Sequence, residues 1–156
     1  MIAVFLLTAI SNPCVIGAEG HVQNEQVQAY FANQSVSIIK AAKAEDIEFL
    51  KSAVAPDAKL VRQAHIYSTH AGPEGAIEFA SWFEAETYGW RYNPYRITVP
   101  ASAYCLSQNV EIEFLSADRR YGTVIAFKYE NGMLVEATSA GHHVEEGTMN
   151  GGSKNG

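Results

Sequence analysis

Arg62, His65 and His70 fall within one short segment of the chain. An imidazole titrates near neutral pH, so either histidine could take or give a proton in a reaction. Arginine stays protonated and cannot be a base, but it can bind and polarise an anion or a carbonyl. Arg62 with His65 is therefore the candidate catalytic pair. The alternative is that both histidines are surface or core imidazoles, with Arg62 in a structural ion pair to Glu111 or Glu113. His142-His143, with Glu145 nearby, suggests a metal site. Neighbouring side chains on a strand point to opposite faces, so the two cannot easily reach one ion. No metal site and no cofactor is expected.

Trp82, Phe83, Tyr88, Trp90, Tyr92 and Tyr95 crowd one stretch that holds both tryptophans of the chain. Aromatic walls suit flat apolar or sugar ligands, although the same rings also serve as core and as dimer contact. The two cysteines, Cys14 and Cys105, have neither a disulfide framework nor metal-type spacing. Cys105 reads as a buried structural thiol. Asn33-Gln34-Ser35 matches a glycosylation sequon but lies within an expected helix, so it is read as chance.

The elements that must position these residues come from periodicity. Residues 24 to 44 read as a helix, with Val27, Phe31, Ile38 and Ala42 at helical spacing and Tyr30 and Ile39 widening the stripe. Its polar face would carry Gln26, Gln28, Asn33, Lys40 and Lys43. Asp46 is a good cap for a second helix whose apolar face is Ile47, Leu50 and Val54, ended by Pro56-Asp57. A strand follows over residues 58 to 68. Ala71-Gly72-Pro73 breaks it and opens a third helix with the stripe Ala76, Phe79, Ala80 and Phe83. Glu74 and Glu78 lie in that helix's first turns, where its dipole favours them. From Tyr95 the period becomes two: Tyr95, Ile97 and Val99, then Val110, Ile112 and Phe114 against Glu111 and Glu113. Residues 121 to 130 and 133 to 140 are strands joined by Asn131-Gly132, a tight-hairpin signal. Helices first and hairpin strands afterwards predict an α+β domain with its helices on one face of an antiparallel sheet.

The chain of 156 residues supports a single domain, and its 47% hydrophobic and 18% charged residues are those of a globular protein with a core. A net charge of −6 repels phosphate backbones, so no nucleic-acid partner is expected. The almost unbroken apolar run at residues 1 to 10, the break at Ser11-Asn12-Pro13 and the small residue Ala18 resemble a short secretory signal peptide. No Lys or Arg precedes the run, and a buried N-terminal element is the alternative. Removal of residues 1–18 would give an exported, periplasmic or secreted protein with no membrane attachment. Glycine-rich residues 145–156 read as a flexible tail.

Three segments in order resemble the nuclear transport factor 2-like superfamily, which includes the SnoaL-like and ketosteroid isomerase-like proteins. They are Lys43-Ala44-Glu45-Asp46-Ile47-Glu48-Phe49-Leu50 running on to Ala55-Pro56-Asp57-Ala58-Lys59-Leu60-Val61, then Gly75-Ala76-Ile77-Glu78-Phe79, then Phe127-Lys128-Tyr129-Glu130-Asn131-Gly132-Met133-Leu134-Val135-Glu136. Together they span most of residues 24–144. The resemblance implies a cone-shaped curved sheet with three helices over it, a pocket between them, and dimerisation through the sheet. It also implies that Tyr30, Arg62, His65, Trp82, Trp90, Tyr92, Ile125 and Phe127 line the pocket. The family's isomerase chemistry does not transfer. Arg62 stands where the carboxylate base belongs, and Ile39 and Ile125 stand where the tyrosine and the protonated acid belong.

Fold does not fix function. The first expectation is an exported protein that binds a small, largely apolar molecule in its pocket and forms a homodimer. The second is a lyase, isomerase or hydrolase using His65 and Arg62. The third is a dimerisation or assembly module.

Overall fold

A computed structural model describes residues 21–63, 67–82, 89–92, 98–100, 106–116 and 120–143. The expectations for residues 1–18, Cys14, His65, Phe83, Tyr88, Tyr95, Cys105 and residues 145–156 lie outside that set. His142 and His143 are described in backbone only.

The element order is β1 (His21–Gln23), α1 (Asn24–Lys43), α2 (Ile47–Ala53), β2 (Val54–Arg62), β3 (Ser68–Ala71), α3 (Gly72–Ser81), β4 (Gly89–Tyr92), β5 (Thr98–Pro100), β6 (Ser107–Leu115), β7 (Tyr121–Glu130) and β8 (Met133–His143). Strands β3-β2-β8-β7-β6-β4 form a curved, unclosed six-stranded sheet, and β1 pairs with β5. The sheet is mixed: β2 and β8 are parallel, and every other ladder is antiparallel. A parallel pair needs a long crossover, and this one contains α3 and five strands, so no local hairpin signal could announce it. Irregularities between Val54 and Lys59 on β2, and between Lys128 and Tyr129 on β7, bend the sheet.

The helices cover one face. Val27, Phe31, Ile38, Ile39 and Ala42 of α1 are buried, as are Leu50 of α2 and Ala76, Phe79 and Ala80 of α3. They meet Leu60, Val110, Ile112, Phe114, Ile125, Phe127, Tyr129, Leu134 and Ala137 from the strands. Leu134 thus faces the core, whereas Val124 stands opposite Glu113 on the face away from the helices. Gln28, assigned by spacing to the polar face of α1, is buried. Ser35 is also buried: it donates to the Phe31 carbonyl at 2.8 Å and accepts from the Tyr129 hydroxyl at 2.6 Å. Burial raises the Tyr129 phenol well above its ordinary pKa.

Boundaries follow local chemistry. The Asp46 carboxylate accepts from the Phe49 N–H at 3.1 Å and caps α2. The helix stops at Ala53, before Pro56, and Val54 already belongs to β2. The expected strand over residues 58 to 68 is therefore two strands, β2 and β3, paired antiparallel from Lys59↔Ala71 to Arg62↔Ser68. Asn131 and Gly132 have φ of 50° and 83°, the turn their pair predicts.

Candidate functional site under the helices

One cross-strand row runs the width of the large sheet. Ser68 of β3 stands opposite Arg62 of β2, Arg62 opposite Ser139 of β8, and Ser139 opposite Ile125 of β7. Ile125 stands opposite Ile112 of β6, and Ile112 opposite Tyr92 of β4. Directly opposed residues share a face. Ser139, Ile125 and Ile112 are fully buried, so the shared face is the one beneath the helices. The row is polar at the β3 edge, apolar in the middle and aromatic at the β4 edge.

Helix α3 closes over the polar end. Two glycines set its approach. Gly72 has φ of +67°, and a Cβ there would lie 2.6 Å from the Pro56 carbonyl oxygen, so only glycine permits the sharp entry from β3. A Cβ on Gly75 would lie 3.0 Å from the His70 carbonyl carbon, so helix and strand are nearly in contact there. Glu78 and Trp82 follow at a spacing of four, side by side on the helix surface. Arg62 Cζ lies 4.4 Å from the centroid of the Trp82 ring, a cation–π distance. Glu78 Oε2 is 2.8 Å from His70 Nδ1, and His70 Nε2 is 3.1 Å from Ser68 Oγ.

Arg62 Nε and Ser139 Oγ are buried and have no hydrogen-bond partner among the described residues. A buried donor or acceptor left unpaired costs about 1–3 kcal/mol. Arg62 and Ser139 are opposed in register on adjacent strands, so one polar group of a ligand could reach both. Neither glutamate proposed as a partner for Arg62 meets it. Strands β8 and β7 intervene, which at the usual strand spacing separates β2 from β6 by roughly 14 Å. Glu113 pairs instead with Arg91, and Glu111 stands opposite Ala126 on the other face.

The remaining expected site residues are distributed around the core. Tyr30 packs edge-on against Phe31 at 5.2 Å, and partial burial raises its phenol pKa. Trp90 stacks on Tyr92 at 6.0 Å. Ile39 and Ile125 are core residues without a proton to exchange. Tyr92 and Phe127 help line a cavity of about 420 Å³. The rest of its described lining is Gln28, Asn109, Val110, Glu111, Ala126, Lys128, Glu136 and Thr138. Asn109, Glu111, Ala126, Lys128, Glu136 and Thr138 alternate with core residues, so most of this cavity lies on the face away from the helices. It is separate from the Arg62 cluster. Its one lysine is already answered at short range, since Lys128 Nζ lies 2.8 Å from Glu130 Oε1, and that bond raises the ammonium pKa. The Arg62 cluster is the better candidate because Arg62 Nε and Ser139 Oγ in it are buried and unanswered among the described residues.

Sequence reading did not select Ser68, Glu78 or Ser139. The signal available was Ser68-Thr69-His70, which places a hydroxyl and an imidazole on one face of a strand, with Glu78 in the second turn of the following helix. Ser139 gave no signal, because only the β2–β8 register brings it to Arg62. Among the described residues no three His, Cys, Asp or Glu side chains gather as metal ligands, and no helix is long and apolar enough to cross a membrane.

No family model and no curated protein matches the chain. Solved structures do. A cystatin-like fold protein from Burkholderia xenovorans LB400 is 16% identical, with 81% of this chain and 100% of that chain covered at a TM-score of 0.51. An NTF-2 like protein of unknown function from the same organism is 14% identical over 76% of this chain and 87% of that one, with a TM-score of 0.48. One from Silicibacter pomeroyi DSS-3 is 13% identical over 73% and 94%, with a TM-score of 0.49. The chain has a cystatin-like fold.

Proposed function

We propose that the protein binds a small, largely apolar molecule through one carboxylate or carbonyl group held by Arg62. The observation that carries this reading is the pair of buried, unpartnered atoms, Arg62 Nε and Ser139 Oγ, opposed across the β2–β8 ladder. Buried polar groups are almost always hydrogen-bonded, and a guanidinium matches a carboxylate in shape and charge. Trp82 stacks over Arg62 and offers a flat apolar wall to the rest of such a molecule.

Titration with benzoate, followed by tryptophan fluorescence, tests the reading. A saturable change that disappears in Trp82→Phe, with affinity at least about tenfold weaker in Arg62→Ala, supports it. Equal affinity in wild type and Arg62→Ala contradicts it.

On the same reading the protein works outside the cytoplasm, after loss of residues 1–18, as a homodimer joined through the sheet face that carries Val124. Finding Met1 at the N-terminus of the protein made in its own cells contradicts the first point. A monomer by sedimentation at micromolar concentration contradicts the second.

A further inference from the structure

We infer that Ser68, His70 and Glu78 form a nucleophilic relay, and that the protein hydrolyses small carboxylic esters at the β3 edge of the sheet. A nucleophile, a base and a group that orients the base must be linked by hydrogen bonds in that order. Ser68 Oγ lies 3.1 Å from His70 Nε2, and His70 Nδ1 lies 2.8 Å from Glu78 Oε2. With Nδ1 protonated toward the carboxylate, Nε2 is the acceptor for the Ser68 hydroxyl proton. The linkage is built into the fold. Ser68 and His70 alternate onto one face of β3, and the close approach of α3 at Gly75 brings Glu78 over His70. Ser68 is half-buried and lies on β3, the edge strand of the described sheet.

The neighbouring strand supplies the complement. Arg62 is opposed to Ser68 across the β2–β3 ladder, on the same face and about 5 Å away in backbone spacing. A cation there faces the oxygen on which charge develops when a carbonyl is attacked. The inference extends the proposed binding reading in this one respect, because it uses Arg62 as the group that holds the carbonyl.

The chemistry balances with water as the second reactant. The Ser68 oxygen bonds to the ester carbon while His70 Nε2 takes the hydroxyl proton, and the carbonyl electron pair moves onto oxygen beside Arg62. The intermediate collapses, the bond to the alcohol oxygen breaks, and His70 returns the proton to that oxygen. Water then attacks the acylated Ser68 and gives a proton to His70. The Ser68–carbon bond breaks and Ser68 regains its hydrogen. The products are one carboxylic acid and one alcohol, and nothing is oxidised or reduced. Glu78 touches neither substrate nor reacting atom, so it is a positioning residue.

The test uses para-nitrophenyl butyrate as substrate and diisopropyl fluorophosphate as covalent probe. Wild type should release nitrophenol with saturation, and peptide mass spectrometry should find the phosphoryl adduct on Ser68, with fluoride lost. Ser68→Ala should lose about 100-fold or more of the rate and take no adduct, and His70→Gln should lose a similar factor. Glu78→Gln should lower kcat at least about tenfold with KM held, and Glu78→Asp should recover part of it. Circular dichroism of each variant confirms that it is folded. A rate retained in Ser68→Ala, or an adduct on His70 instead of Ser68, overturns the relay. Benzoate titration keeps the two readings apart: binding without hydrolysis overturns the relay alone, and hydrolysis without Arg62-dependent binding overturns the binding reading alone.

Discussion

Arg62 of β2 and Trp82 at the end of α3 are joined by a cation–π contact, with the guanidinium carbon 4.4 Å from the ring centroid. The contact holds Arg62 near the β3 edge of the helix-facing side. Among the described residues no carboxylate is paired with Arg62: Glu113 is bonded to Arg91, Glu78 to His70, and Glu111 lies on the opposite face. Replacing Arg62 therefore strands no buried partner. Arg62→Ala loses the stacking, about 0.5–2 kcal/mol, and relieves an unmet buried donor, about 1–3 kcal/mol. The two nearly cancel, so the ligand-free protein should melt close to wild type or slightly above it. A loss of about 3–5 kcal/mol would show that Arg62 has a buried carboxylate partner after all.

Gly72 and Gly75 set the distance between α3 and β3. Gly72→Ala puts a Cβ 2.6 Å from the Pro56 carbonyl oxygen at a φ of +67°, so it should cost roughly 1–3 kcal/mol in thermal or chemical denaturation. Gly75→Val should cost less stability but lift α3 from His70. The readout is the His70 imidazole resonance by NMR, which should lose its dependence on Glu78→Gln. An unchanged dependence would mean that the close approach does not hold the pair together.

The Ser35–Tyr129 bond, 2.6 Å long and wholly buried, ties α1 to β7. Ser35→Ala leaves the phenol hydroxyl without its acceptor and should destabilise by about 1–3 kcal/mol. Adding Tyr129→Phe should cost less than the sum of the single changes, as expected when both remove one bond. Additive losses in denaturant melts would show that the bond is not formed.

Tyr129 also gives the protein an alkaline limit. Burial raises its folded-state pKa above that of the unfolded chain, so the folded state keeps its proton at a pH where the unfolded state has lost it. Stability from this group is fully present below about pH 10, the unfolded value, and declines as pH climbs toward the folded value. Tyr30, raised in the same direction by partial burial, adds to the decline. Denaturation midpoints measured from pH 8 to 11.5 should fall at the top of the range, and less steeply in Tyr129→Phe. Equal slopes would place the alkaline sensitivity elsewhere.

The fold was largely legible because its signals are local. The apolar stripe of α1, the Asp46 cap, the alternation Val110-Ile112-Phe114 and the Asn131-Gly132 turn each follow from neighbours in sequence. The boundary of β2 was less legible: Pro56-Asp57 reads as a helix stop, but α2 had already ended at Ala53. Gln28 was misplaced because helical spacing ranks a polar residue as exposed, whereas here it is buried. The site was legible only in part. Arg62 was singled out by its charge in an expected pocket. Its relation to Ser139 depends on a parallel ladder between strands 70 and more residues apart, and that information is not local. Ser68 and Glu78 were passed over because each has an ordinary explanation by itself, and only the packing of α3 on β3 links them through His70.

The most direct test of the account is a crystal structure of the protein soaked with benzoate. The account predicts the carboxylate on the Arg62 guanidinium, within hydrogen-bond distance of Ser139 Oγ, and the ring against Trp82. Benzoate bound instead beside Lys128 in the cavity on the other face of the sheet, with the Arg62 cluster empty, would contradict it.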